Sequence, residues 1–419
     1  MPASTEPGAT PVPMNSLETT VSGRRIKPAA AKNQSEEPAT CPHGGRVYDT
    51  VGQDFTRLDR LGDVLAADVL DAWYPPAPSV LEALSANLPW CVRTSPPLHA
   101  GGLRETIAAS RGINSDQIVL GCGSSDLIFR VVPRFLSGEG PIVIPQPSYA
   151  EYRHVLTQLH GREVIPFYTD QEDFMLNVDK LVSFIHSVGA TGVCLVNPCN
   201  PTGFALPKKD MLALLDGIAG TPIVVDETYI DYIGKEESLE SSVEDYPNLM
   251  TLKSVSKFYA LSGMRVGYAV AASRIGKQFQ LETPPYIVST PGQMAAIAAF
   301  EAEDYYLGRV AETHRLREEF ASALRTLPGL RVMPSNINCM LLDLKNTGWR
   351  APDFWQALLD RNLLSRDIGH QGLTESDRYV RVAVLCAEDN QRMVEIISEV
   401  VQSRSPGEDG TWTPHSLCA

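Results

Sequence analysis

This sequence has no surplus of positive charge. Lys and Arg number 36 against 50 Asp and Glu, a formal net charge of −14. That balance argues against nucleic acid or an anionic membrane as a general partner, and it means that an anionic substrate needs a locally basic pocket. The sequence also lacks any Cys-x-x-Cys pair. Its eight cysteines (Cys41, Cys91, Cys122, Cys194, Cys199, Cys339, Cys386 and Cys418) are scattered, and Cys194 and Cys199 have no His/Cys cluster beside them. They are expected to be reduced thiols of a cytoplasmic protein, with neither a zinc site nor a disulfide frame. No apolar run is long enough to span a bilayer. The start, Met1-Pro-Ala-Ser-Thr-Glu-Pro, has no basic stretch and no apolar h-region, so no secretory signal is expected. Nor does the head carry a helix-turn-helix pattern, which argues against a DNA-binding regulator.

What is present is an ordinary globular composition, 43% apolar and 21% charged, in a chain of 419 residues. That is enough for two domains and a large core. Residues 1–40 are rich in Pro, Ala, Ser, Thr and Glu without periodicity and are expected to be a disordered tail. Residues 403–419 are expected to be a second loose tail. Between them, short β-branched runs alternate with amphipathic helical stretches. Strands are expected at 118–120, 141–145, 163–167, 192–197, 222–226, 249–254 and 266–271. This is the rhythm of βα units and a mostly parallel sheet. Further on, a long helix (312–327) precedes strands near 330–333, 338–343 and 379–384, with helices at 352–361 and 388–402. The expected division is a large α/β domain over 91–300 and a small α+β domain over 301–402, with segment 41–90 packing against the latter.

In a parallel sheet, ligands collect where strands end. Gly121-Cys-Gly-Ser124-Ser125-Asp126 follows one strand and opens a helix, so its amides and hydroxyls suit a phosphate; a plain Ser N-cap would explain it equally. Tyr149 follows the next strand and could stack on a flat ring, or be core. Asn197-Pro-Cys-Asn200-Pro-Thr-Gly203 makes a rigid turn, which accounts for the prolines and glycine but not for Asn200, a candidate donor to a phenolate. Asp226, at the end of Val224-Val-Asp226-Glu-Thr-Tyr229, is costly to bury unless paired, for instance with a protonated ring nitrogen; a helix cap is the other reading. Tyr229 could reach the same phenolate as Asn200.

The stretch that organises the rest is Ser254-Val-Ser-Lys257-Phe-Tyr-Ala-Leu-Ser-Gly-Met-Arg265. A lysine between short hydroxyl side chains, with an arginine eight residues later, suits a Schiff-base lysine beside a phosphate cradle. Ser-x-x-Lys alone also occurs in serine hydrolases. Near the start, His43-Gly44-Gly45 leaves backbone room around an imidazole. Arg366 and Arg381 could bind a carboxylate or phosphate through paired N–H donors, or be surface ion pairs.

Together and in this order, Asn-Pro-x-Asn-Pro-Thr-Gly, Asp-x-x-Tyr and Ser-x-x-Lys with its arginine resemble the fold-type-I pyridoxal 5′-phosphate (PLP) enzymes of the class I/II aminotransferase superfamily. The likeness covers roughly residues 41–402 and is closest to the histidinol-phosphate aminotransferase and threonine-phosphate decarboxylase branch. The resemblance implies a seven-stranded large domain, a small α+β domain, a homodimer and a small amino-acid substrate. It implies that Lys257 carries PLP and moves a proton, Asp226 pairs the ring nitrogen, and Asn200 and Tyr229 hold the ring oxygen. Tyr149 would stack on the ring, and Ser124, Ser125, Ser254 and Arg265 would hold the cofactor phosphate. His43, Arg366 and Arg381 match the positions that bind a substrate phosphate in the decarboxylases; in transaminases Arg381 would take the α-carboxylate.

Two stretches depart from the branch. Its Asn-x-Asn-Pro segment is replaced here by Asp71-Ala-Trp-Tyr74-Pro, which puts Tyr74 in the expected substrate pocket. Its Tyr-Pro, reaching a neighbouring subunit's cofactor, is replaced by Ser95-Pro96. Transamination is the first expectation and decarboxylation the alternative, because the bond that breaks depends on which substrate group the pocket anchors.

Overall fold

The computed structural model describes residues 43–170, 172–375 and 377–404. The expected tail over 1–40, and 405–419 of the second tail, lie outside the described residues. In chain order the strands are β1 (Leu65–Ala66), β2 (Ile118–Gly121), β3 (Ile142–Gln146), β4 (Val164–Tyr168), β5 (Gly192–Val196), β6 (Ile223–Asp226), β7 (Leu249–Ser254) and β8 (Gly267–Ala271). They are followed by β9 (Arg331–Val332), β10 (Cys339–Asp343), β11 (Leu363–Leu364), β12 (Arg366–Asp367) and β13 (Tyr379–Ala383). Each β-branched run read from the sequence is a strand, to within two residues at either end.

Seven strands form one sheet in the order β2-β8-β7-β6-β5-β3-β4. Pairing is parallel from β4 across to β7. β8 runs antiparallel to both β7 and β2. All but the edge strand β4 are buried along their length. Continuous apolar runs are what a sheet covered on both faces requires. Alternate residues feed two separate cores: Val193, Leu195, Ile223 and Val225 enter one, and Cys194, Val196 and Val224 enter the other.

The second sheet is antiparallel, in the order β12-β13-β10-β9. Its own core is lined by Phe320 and Leu324, by Phe354 and Leu358, and by Met393 and Ile397 from three helices. The first of these spans Glu303–Leu324, starting nine residues before the expected 312. Its early turns bury Tyr306 in the large-sheet core and its later turns face the second sheet, so its apolar stripe changes partner midway. A single periodicity therefore reveals only the later part. The N-terminal segment returns to this second layer: β1 pairs in parallel with β11, and Ala383 N donates to Ala67 O at 2.9 Å. This brings Asp68 and His43 opposite the C-terminal ends of β5, β6 and β7.

Candidate active site

A cavity of ≈ 240 Å³ lies where those strand ends meet the second sheet. Asp226, the last residue of β6, forms part of its floor at 4% exposure. Its Oδ1 accepts from Thr228 N at 2.9 Å and its Oδ2 from the Tyr152 hydroxyl at 2.6 Å. Burial pushes this carboxyl above its usual range, against those two hydrogen bonds and the Lys253 charge. The helix-cap reading is thus half met, because the carboxylate does hold the backbone two residues on.

Asn200 is placed by the loop that leaves β5. Asn197 pins that loop, donating to Leu206 O at 2.9 Å and accepting from Leu206 N at 2.8 Å. Gly203 closes it at φ +75°, where a side chain would strike Ser335. Arg381 Nη1 donates to Asn200 Oδ1 at 2.6 Å. A guanidinium has no acceptor, so the amide oxygen must face the arginine and the NH₂ is left as donor. Tyr229 lines the same wall. Burial pushes its phenol well up, opposed by the Arg381 charge.

Lys257 enters from the turn after β7. Its Nζ donates to Asp71 Oδ1 at 2.8 Å, and the Ser262 hydroxyl donates to the same oxygen at 2.6 Å. Burial tends to raise the Asp71 carboxyl, but the charges of Lys257 and Arg265 and the two hydrogen bonds bring it below its usual range. Arg265 has left-handed backbone, φ 55°. Its guanidinium lies across Gly123, at the first turn of the helix Gly123–Arg130, so tightly that any Cβ there would collide with it. A Cβ at Gly267 would come within 2.7 Å of Ser124 N. Ser124 and Ser125 at that helix start, Ser254 and Arg265 all line the cavity. Free helix N–H groups, hydroxyls and a cation against bare backbone make an anion cradle.

The opposite wall comes from the second sheet and the N-terminal segment. Arg381 also donates to Asp68 O at 2.7 Å. Asp68 Oδ2 accepts from Gly45 N at 2.7 Å and Arg46 N at 3.1 Å, which fixes His43-Gly44-Gly45. Gly44 is needed because a Cβ would come within 2.8 Å of the Asp68 carbonyl. His43 Nε2 lies 2.7 Å from Glu151. Its ring centroid is 6.3 Å from that of Tyr149. Arg366, His370 and Gln371 complete the rim.

Twelve of the fourteen expected residues therefore line one cavity: His43, Ser124, Ser125, Tyr149, Asn200, Asp226, Tyr229, Ser254, Lys257, Arg265, Arg366 and Arg381. Tyr74 does not, and this corrects the expectation. It is 3% exposed, its ring 5.4 Å from Trp73 and 6.5 Å from Tyr306, and its hydroxyl donates to Phe258 O at 2.7 Å. Aromatic packing and a buried carbonyl claim both ends of the side chain, so it braces the lysine loop from behind. Ser95 is exposed and also stands outside this chain's cavity. Missed from sequence were Tyr152, Asp68, Glu151 and His370. Tyr152 stands three residues after Tyr149, and His370 four after Arg366, spacings that fit a shared turn.

The family model for aminotransferase class I and II matches residues 71–399. A histidinol-phosphate aminotransferase of Methanothermobacter thermautotrophicus is 31% identical over 329 residues, 78% of this chain and 86% of that protein. Among solved structures, a Sinorhizobium meliloti histidinol-phosphate aminotransferase in complex with pyridoxal-5′-phosphate shares the fold, with TM-score 0.72 at 22% identity over 80% of this chain and 90% of that one. So does an L-threonine-O-3-phosphate decarboxylase from Porphyromonas gingivalis, with TM-score 0.67 at 24% identity over 78% and 97%. The cavity fits PLP in its donor set: a phosphate cradle, an amine, and a buried carboxylate with no cation within hydrogen-bond reach among the described contacts. On the extent of the family match and of the archaeal relative, this chain belongs to the class I and II aminotransferases, which are PLP-dependent enzymes.

Proposed function

We propose that the chain transaminates an amino acid that carries a phosphate or phosphonate at its far end. The observation that carries this reading is the pairing, in one cavity, of Lys257 and Asp226 with the basic wall of His43, Arg366 and Arg381. PLP, when bound, supplies the electron sink that stabilises negative charge at the substrate's α-carbon. Asp226 would hold the ring nitrogen in its protonated form, Asn200 and Tyr229 the ring oxygen, and Tyr149 one ring face. Ser124, Ser125, Ser254 and Arg265 would hold the cofactor phosphate. Lys257 would carry the cofactor and move the proton at the α-carbon. Arg381, beside Asn200, would take the α-carboxylate, and His43 and Arg366, on the same cavity wall, the distal anion. The archaeal relative's namesake substrate, histidinol phosphate, carries a phosphate, though no α-carboxylate.

Decarboxylation is the second reading, favoured by the same basic wall. If His43, Arg366 and Arg381 all hold the distal phosphate, the α-carboxylate is left unanchored and free to depart. In domain terms we read 91–300 as the cofactor-binding unit and 301–402 as the smaller one, with 41–90 returning to it. We read the assembly as a homodimer, with Ser95 serving a neighbouring copy's site. The support is an exposed apolar stripe on the helix Pro78–Arg93, with Leu81, Leu88 and Val92 at helical spacing.

The test is a product assay on PLP-loaded protein with histidinol phosphate, O-phospho-threonine and phosphonoalanine, each with and without 2-oxoglutarate. Glutamate formed only with the keto acid is the expected result. Carbon dioxide released without the keto acid would replace transamination by decarboxylation.

A further inference from the structure

The rim of the cavity holds a side chain to which the proposed function gives no task. His370 follows Arg366 by four residues, just after β12, and both line the cavity. His370 Nε2 lies 3.2 Å from Arg366 Nη2. A guanidinium only donates, so Nε2 must accept, and the imidazole is neutral with its proton on Nδ1. Among the described residues, the titratable and charged groups that act on it are Arg366 and Asp367 on β12, Arg381 on β13 and His43 from the N-terminal segment. Glu151 lies 2.7 Å from His43. Partial burial first, and then the Arg366 charge, push His370 down to about 4, against the pull of Asp367.

We propose that His370 is a specificity residue of the distal-anion subsite: it takes up a proton as a dianionic phosphate or phosphonate enters, and donates to that group beside Arg366. The proposal rests on the phosphate-end reading above. The guanidiniums of Arg366 and Arg381 act on His370, Arg366 directly at 3.2 Å, and a neutral ring is the form that tolerates them. A dianion reverses the local field, and opposite charge within about 4–6 Å favours the protonated imidazole. Nε2 then gains a hydrogen and can no longer accept from Arg366, so both groups turn their donors to the anion. The only bond formed is N–H, with the proton drawn from solvent at the exposed rim. A carboxylate brings half the charge and recruits the proton less well. The subsite therefore separates a phosphonate from a carboxylate of the same length.

The experiment is calorimetric titration of the PLP-loaded protein with 3-phosphonopropionate, which lacks a reacting amine, and with succinate, its carboxylate counterpart. It is run near pH 7 in two buffers of different ionisation heat, on the native protein and on His370→Gln. The ligand's own titrating proton cancels between the two proteins. The expected result is a preference of at least ~10-fold for the phosphonate in the native protein, one charge-assisted hydrogen bond's worth. Native protein should also take up more protons than the variant, the difference approaching ~1 per ligand. His370→Gln should keep succinate binding and the visible PLP spectrum while losing most of the preference. Equal proton counts and an unchanged preference in both proteins would overturn the role of His370 and leave the phosphate-end reading standing. No preference for the phosphonate in the native protein would remove that reading, and the role of His370 with it.

Discussion

Lys257 and Asp226 face the same cavity, but their surroundings hold them differently. Asp226 sits in a dry floor, fixed by two hydrogen bonds. The Lys257 side chain is 19% exposed and is held by one carboxylate, Asp71, itself 54% exposed. On the proposed role the amine would be released and recaptured in each turnover, and a partner that water can replace suits that. Lys257→Ala should therefore remove activity by at least the ~10²–10⁴-fold of a lost general base. It should leave the melting temperature within a few degrees of native, because the pair it breaks is a partly solvated one. Steady-state turnover and a thermal melt, run on the same preparation, check both halves. Measurable native-like turnover would sink the assignment of the lysine.

At the scale of elements, the helix Gly101–Arg111, the stretch after β6 and β7 itself are tied together by buried charge. Arg111, at the end of the helix Gly101–Arg111, reaches Asp231 and Glu240, each at 2.7 Å. Lys253 of β7 lies 3.4 Å from both Glu227 and Glu240. Removing one member leaves its partners buried and uncompensated. Arg111→Met should cost about 3–5 kcal/mol, the range for breaking a buried pair from one side. Burial would raise Asp231 and Glu240, but Lys253 and Arg111 outweigh it and hold both below their ordinary values of 3.8 and 4.5. A depressed carboxylate adds stability that is present above its unfolded value and lost as pH falls through its folded one. The native protein should therefore lose stability below about pH 4, and Arg111→Met, in which these carboxylates are less depressed, should lose less of its stability over that window. Glu227 works in the opposite sense: burial raises it, so its contribution shrinks as pH rises above 4.5. Denaturant midpoints measured from pH 3 to pH 8 would show both limbs. An acid limb identical in the two proteins would refute the network's part in it.

At the scale of the whole molecule, the helix Pro78–Arg93 presents large apolar side chains at the surface. Leu81, Leu88 and Trp90 are each about half exposed, and Val92 is 73% exposed. Its other face is well packed, with Val80 and Cys91 buried. A helix with apolar residues on both faces is normally sandwiched between partners. Leu88→Glu should convert a sedimenting dimer into a monomer and weaken PLP retention at the same time, since Ser95 lies just beyond this helix. A monomeric native protein that retains PLP fully would remove the homodimer reading.

Much of this was legible in the residues themselves. β-branched runs can be buried only as strands of a covered sheet, so β2 to β8 followed from composition and spacing. Asp226 stood out as a carboxylate at a strand end, where burial has to be compensated, Asn200 as a residue its rigid turn did not require, and Lys257 with Arg265 by their spacing beside short hydroxyl side chains. The sequence could not show that Tyr74 turns inward to Phe258, or that Tyr152 backs Asp226. Those outcomes depend on which neighbours a turn happens to meet. It also gave no hint that Asp68 and Arg381, 313 residues apart, share a hydrogen bond. Local spacing sets which element a residue occupies, because helix and strand periods are short. Which side chains share a cavity is decided by packing between elements far apart in the chain, and only the tertiary structure resolves that.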